Sequence, residues 1–242
     1  GLIGATGIDL SCCKAKRLLN VDSEEEGIFT VGCAGGIRVQ TDIPMKREPK
    51  SGLCLDFKFQ GILGGHSGIE INNGLANANA LTGRFFMALK KVCDFEIITL
   101  SGGVKENVIP KDAAFSLLVS PADLSVVEKE LADFNAQIAA EYAAADPNAT
   151  LVMASAGAAD AYVLDNESMS KLITALNLMP NGVQAMCIDL PGLVETSLNM
   201  GVVRLSEDNL QISLSIRSSV ATAKEYIIDK VTQLATFLGG TV

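Results

Sequence analysis

Tryptophan is absent, histidine occurs once, and only 5% of the 242 residues are aromatic. One histidine rules out a multi-histidine metal site and gives no basis for a Ser-His-Asp triad. No run of 18 apolar residues is present to span a bilayer as a helix; the longest charge-free stretch, 172–188, is interrupted by Asn177, Pro180, Asn181, Gly182 and Gln184. The six cysteines (Cys12, Cys13, Cys33, Cys54, Cys93, Cys187) include no CxxC pair and lie scattered in apolar segments, which predicts reduced thiols in a cytoplasmic chain. Positive charge is scarce too. A formal charge of −9 argues against nucleic acid or an anionic membrane as partner and leaves small molecules or proteins. The glycine-rich stretches at 32–36 and 61–68 match neither a phosphate loop nor a dinucleotide fingerprint. The first residue is Gly1 rather than Met, with no signal peptide before the fold; the chain reads as an interior piece.

What is present is an apolar, aliphatic composition, 48% hydrophobic, long enough for one large or two small cores. Residues 1–36 read as a leader: a turn or short helix around Leu10 to Ala15, a buried strand from Arg17 to Val21, an acidic turn at 22–26 and an apolar run at 28–31. From about Arg38 the texture changes. Leu53, Leu55, Phe57 and Phe59 alternate with Cys54, Asp56 and Lys58, the period of a half-buried strand. Leu81, Phe85, Leu89 and Val92 then mark a helix, and Phe95 to Leu100 and Ala113 to Val119 two strands. Ser120 and Pro121 open a second helix along Leu124, Val127, Leu131, Phe134 and Ile138. That order is the split βαβ of a ferredoxin-like layer.

The Ala-, Asp- and Asn-rich stretch 143–166 reads as a connection. A similar set follows it: a helix from Met169 to Leu178, strands from Glu195 to Leu205 and Leu210 to Arg217, and a last helix. That helix opens on Thr222-Ala-Lys-Glu225, with the spacing of a capping box, and stops at Gly239-Gly240. The expected fold class is α+β: two ferredoxin-like (split βαβ) layers, helices packed on a mainly antiparallel sheet.

Few residues carry chemistry. His66 stands among glycines in Gly61-Ile-Leu-Gly-Gly-His-Ser-Gly68, where a backbone can approach a ligand and an imidazole can donate to an oxyanion; an ordinary loop histidine fits as well. Asp22, at the end of a buried strand, is a hard oxygen donor suited to zinc or manganese, or one carboxylate of a solvated turn. Arg217 ends the last strand, where a guanidinium fork can clamp a carboxylate, although an exposed arginine is ordinary there. Asn107 can orient a peptide carbonyl or simply hold a turn.

Leu18-Leu-Asn-Val-Asp-Ser-Glu-Glu-Glu-Gly27, Val31-Gly-Cys-Ala-Gly-Gly36, Gly64-Gly-His-Ser-Gly68, Gly74-Leu-Ala-Asn-Ala-Asn79, Asn107-Val-Ile-Pro110, Pro180-Asn-Gly-Val183, 194–203 and Ile216-Arg-Ser218 run in order over nearly the whole chain. Together they resemble the aminoacyl-histidine dipeptidases, members of the co-catalytic zinc peptidase family that includes carboxypeptidase G. The resemblance implies a two-zinc α/β catalytic domain interrupted by a lid that forms a homodimer contact. Residues 1–36 would be a remnant of the catalytic domain and 37–242 the lid and dimerisation domain. It implies that Asp22 is a metal ligand, that His66 stabilises the tetrahedral intermediate, and that Arg217 holds the carboxylate of a dipeptide substrate. Asn107, and more weakly Asn199, would help bind that substrate. In many relatives an arginine stands 13 residues after the asparagine; here that position is Ser120. The family's His-x-Asp motif, bridging aspartate, Glu-Glu pair and late histidine have no counterpart in the chain. The expectation is a lid fragment of a cytoplasmic Xaa-His dipeptidase that binds zinc weakly and is inactive alone. The alternative is a stand-alone α+β binding or assembly module.

Overall fold

The computed structural model describes residues 7, 9, 11, 13–17, 26, 27 and 32–242. The chain divides into two units, Gly1–Cys33 and Ala34–Val242. Residues 18–21 of the expected leader strand, Asp22 and the apolar run 28–31 lie outside the described residues.

Ten strands and four helices make up the second unit. In order they are β1 (Gly35–Pro44), β2 (Arg47–Gln60), β3 (Gly65–His66), α1 (Ala78–Leu89), β4 (Phe95–Gly102), β5 (Val108–Ile109), β6 (Ala113–Val119), α2 (Leu124–Glu141), β7 (Thr150–Leu164), α3 (Asn166–Leu178), β8 (Gly182–Met186), β9 (Val194–Leu205), β10 (Asn209–Ser218) and α4 (Ala221–Phe237). Eight strands form one sheet, ordered β1-β10-β9-β4-β6-β2-β7, with β8 pairing β9 beside this path. Every pairing in it is antiparallel.

The alternation in β2 sets the polarity of the sheet. Leu55, Phe57 and Phe59 are buried while Asp56, Lys58 and Gln60 are exposed. The few aromatics are concentrated in this core. Phe57 stacks on Phe115 at 5.0 Å between centroids, Phe86 meets Phe115 edge-on at 4.8 Å, and Phe85 lies 5.2 Å from Phe134. Each such pair adds about 0.5–1.5 kcal/mol beyond the area it buries.

The sheet is two ferredoxin-like halves placed edge to edge. In the first, β2-α1-β4-β6-α2-β7 folds into the spatial order β4-β6-β2-β7. In the second, β1, α3, β9, β10 and α4 repeat the plan with β1 as first strand and the order β1-β10-β9. The fourth-strand position of this half is marked by Thr241 alone, bridged to Asp42. Ser101 and Gly102 of β4 pair with Arg204 and Val203 of β9 to close the seam. Arg204 reinforces it by donating from Nη1 to the Gly102 carbonyl at 2.8 Å and from Nη2 to that of Gly103 at 2.5 Å. Above the seam α1 lies against α3. Gly83 permits this close approach, since a Cβ there would sit 2.7 Å from Leu176 Cβ.

Beside the short unexpected strands β3, β5 and β8 and a first helix that ends at Leu89, before Val92, three departures shape the sheet and its last helix. Residues 150–164, expected as a connection, form the 15-residue strand β7, because fourteen paired positions along β2 override the poor strand propensity of its alanines. β1 is a full strand where the sequence shows only a change of texture; its inward residues Val39, Thr41 and Ile43 place a hydroxyl between two aliphatics. The capping box at Thr222 does not form. α4 starts at Ala221 with no side-chain cap, and Ser218 Oγ instead accepts from the Val220 amide at 3.0 Å.

Candidate functional site

Between β2 and α1 the chain makes a glycine-rich excursion over the sheet, and between β4 and β6 a second arm meets it. The two arms pair as β3 and β5, with Gly65 opposite Ile109 and His66 opposite Val108. The Ser67 amide extends this strap by donating to the Asn107 carbonyl at 3.0 Å. His66 and Asn107 are therefore neighbours by backbone pairing, although 41 positions separate them in the sequence.

Beneath the strap runs a layer of asparagines. Asn199, 1% exposed on β9, donates from Nδ2 to the carbonyls of Glu106 (2.9 Å) and Val108 (2.8 Å). Its Oδ1 accepts from Asn77 Nδ2 at 3.3 Å. Asn77 caps α1 through its Oδ1, and Asn181 Oδ1 accepts the Met200 amide at 2.8 Å. Every hydrogen-bonding atom of the Asn199 amide is thus engaged inside the protein, under the strap and away from any open site. At the lip of the strap, Arg38 Nε pairs with Glu106 Oε1 at 2.6 Å, tying this arm to β1.

Beyond the strap, Arg217 of β10 stands opposite Gly36 of β1 and Ser197 of β9. It lines a groove of about 450 Å³ with Gly36, Ile37, Arg38, Asn107 and Ser215. Its Nε is buried with no hydrogen-bond partner, and no carboxylate pairs with it among the described residues. Gly68 ties this arginine to the histidine: a Cβ at that position would lie 3.0 Å from both His66 Cε1 and Arg217 Cζ. Imidazole and guanidinium therefore flank a single backbone position where even a methyl group would crowd both. The Gly68 amide donates to His66 Nδ1 at 3.3 Å, which leaves Nε2 as the N–H donor of the neutral ring. The His66 amide is itself held by Glu70 Oε2 at 2.6 Å.

Of the sequence candidates, His66, Arg217 and Asn107 come together at one lip, Asn199 supports the strap from beneath, and Asp22 lies outside the described residues. An unpaired guanidinium, an Nε2–H donor and the Asn107 amide, which has no hydrogen bond among the described side chains, can together bind a carboxylate and a polarised carbonyl oxygen. Sequence reasoning missed Gly68, Asn77 and Arg38. The motif Gly74-Leu-Ala-Asn-Ala-Asn79 holds Asn77, but only the fold shows what that residue grips.

Residues 58–146 match the peptidase dimerisation domain of the M20 peptidases, a segment running from the end of β2 to just past α2. The chain is 35% identical over 241 residues to the cytosol non-specific dipeptidase of Escherichia coli K12, covering 99% of this chain and 50% of that protein. Residues 58–146 thus carry an M20 peptidase dimerisation domain. Its fold superimposes on the crystal structure of aminoacylhistidine dipeptidase from Vibrio alginolyticus with a TM-score of 0.86 and 28% identity, over 98% of this chain and 49% of that one. The chain thus spans about half the length of these two relatives. The α+β fold with antiparallel sheet and four helices is that of the aminoacylhistidine dipeptidase dimerisation domain.

The described residues do not fit a zinc site: nowhere among them do three or more His, Cys, Asp or Glu side chains gather as ligands. No helix among them is long and apolar enough to cross a membrane.

Proposed function

We propose that this chain is the lid of a cytoplasmic zinc dipeptidase acting on Xaa-His dipeptides, and that it supplies substrate-binding groups rather than metal chemistry. The observation that carries this reading is the Arg217 guanidinium, with an unpartnered Nε at the groove and the His66 ring across Gly68. In this reading Arg217 receives the C-terminal carboxylate of the dipeptide. His66 donates its Nε2 proton as a hydrogen bond to the oxygen of the scissile carbonyl as negative charge develops there. Asn107 orients the peptide unit between them. Asn199 enters as a support beneath the strap, not as a substrate ligand. Residues 1–36 belong to the catalytic part and 37–242 to the lid, and the lid forms a homodimer. The described residues build no metal site, so the chain alone turns over no dipeptide. Both relatives support a dipeptide as substrate, and the aminoacylhistidine dipeptidase of Vibrio alginolyticus supports the Xaa-His preference.

The test is calorimetric titration of the chain with glycyl-histidine and with its C-terminal amide. The free acid is expected to bind, the amide to bind weakly, and Arg217→Ala to lose that preference. Equal binding of acid and amide, or an Arg217→Ala protein that still prefers the acid, would remove Arg217 from the role. Hydrolysis of the dipeptide by the isolated chain with added zinc, stopped by a chelator, would overturn the expected inactivity.

A further inference from the structure

We infer that Asp146 is the positioning residue for His66, acting from outside the site through the neck of the strap. The inference rests on the proposed role of His66 and identifies what holds it in place. Asp146 is 1% exposed and lies between α2 and β7, far from His66 in sequence. Its carboxylate accepts two backbone hydrogen bonds, from the Leu63 amide at Oδ1 (2.7 Å) and from the Ala76 amide at Oδ2 (2.9 Å). Leu63 and Ala76 are the two ends of the excursion that carries His66. One buried anion therefore closes the loop at its base, as the carbonyls of a hairpin would, but with a single side chain serving both ends.

Asp146 is itself fixed. Its amide donates to the Tyr142 carbonyl at 2.8 Å, and its carbonyl accepts from Ala149 at 3.0 Å. Next to it Gly61, with φ of 75°, presses on Asn148 so closely that a Cβ would meet the Asn148 carbonyl oxygen at 2.0 Å. By contrast, the tip of the strap is held mostly from within: two residues of ladder, the Ser67 amide on the Asn107 carbonyl, the turn around His66 and the Glu70 carboxylate on the His66 amide, the last two from the same arm. The other arm has its own supports in Asn199 and Arg38, but these grip Glu106 and Val108, not the histidine arm. The neck thus decides where the histidine arm leaves the sheet edge, and so where the imidazole stands relative to Arg217. An asparagine at this position keeps the shape but offers one acceptor oxygen, and its NH₂ faces one of the two amides donor to donor.

The single histidine makes the test direct, because nitrogen-15 spectra of the chain contain one pair of imidazole signals. Wild type is expected to give a fixed Nε2–H tautomer with Nδ1 as acceptor. Asp146→Asn is expected to give a tautomer average and roughly tenfold weaker glycyl-histidine binding. Its Leu63 and Ala76 amides should exchange faster with solvent, while the Leu151 amide, held by Asn135 Oδ1 at 2.8 Å, stays protected as a sign that the fold is intact. Leu63→Pro deletes one donor, leaves the carboxylate untouched and alters a residue 62% exposed; it should move the imidazole signals in the same direction. A folded Asp146→Asn or Leu63→Pro protein whose imidazole signals match wild type would overturn the inference, whatever its affinity. Failure of the wild-type chain to bind glycyl-histidine at all would instead count against the proposed function.

Discussion

Gly68→Ala is the smallest change that addresses the pairing of His66 with Arg217. The new methyl carbon would stand 3.0 Å from His66 Cε1, 3.0 Å from Arg217 Cζ and 3.1 Å from Arg217 Nε. Non-bonded carbons rest at about 3.5–4.0 Å, so a neighbour must give by a few tenths of an ångström. The imidazole is held by its own arm and by the Gly68 amide, whereas the guanidinium has no protein partner to lose. Arg217 is therefore the group that gives way. Folding should hardly register the change, since the residue is exposed and surface substitutions cost within about 0.5 kcal/mol. Binding should register it strongly. A guanidinium pushed aside weakens a charged hydrogen bond to the carboxylate whose complete loss is worth about 1.5–3 kcal/mol, so affinity should fall by up to roughly 10- to 150-fold. Gly36→Ala is the matched control: it lies on the same groove, but its Cβ would meet nothing closer than the Ile216 carbonyl oxygen at 3.7 Å. Calorimetry with glycyl-histidine on both variants, with melting curves alongside, decides the matter. If Gly68→Ala binds like wild type, or if the two variants lose affinity equally, the reasoning from Gly68 is wrong.

Phe115→Ala removes the ring shared by Phe57 and Phe86 and should cost about 3–5 kcal/mol, lowering the melting temperature by on the order of 10 °C in a thermal scan. Asp165 caps α3 by accepting the Ser168 amide at 2.8 Å, and this bond, ahead of the opposing effect of burial, holds its carboxyl below the ordinary value of 3.8. Its contribution is therefore present above the unfolded pKa and fades as pH falls through the lower, folded one. Asp165→Ala should cost about 1 kcal/mol at neutral pH, and the gap from wild type should close as melts are run at progressively lower pH, past the depressed folded pKa; a gap that stays constant with pH would contradict the charge argument.

How much of this was legible in the sequence depended on how locally each feature is encoded. The Leu53 to Phe59 alternation and the Leu124 to Ile138 stripe are encoded by neighbours, and β2 and α2 appear where those patterns predict them. The strand β7 is encoded mostly by its partner. Ala154 to Ala161 contains no strong strand former, and only pairing along β2 extends it. The Thr222 capping box has the right spacing, but β10 delivers the chain to α4 with Ser218 already serving the turn. At the site, His66, Asn107 and Arg217 stand out by chemical type and motif. What positions them is a set of backbone carbonyls and amides gripped by Asn199, Asn77 and Asp146, and a grip on backbone leaves no mark in the sequence of the residue being held.

The site also straddles the seam of the sheet. His66 rides on an arm of the first half and Arg217 on the last strand of the second, so their separation is set across the seam rather than within one half. The Arg204 fork, the contact of Gly83 with Leu176 and the asparagine layer together fix the span of a caliper. Small substitutions along that seam, far from any ligand atom, would open or narrow the jaws, and the length of molecule that fits between the histidine and the arginine would change with them.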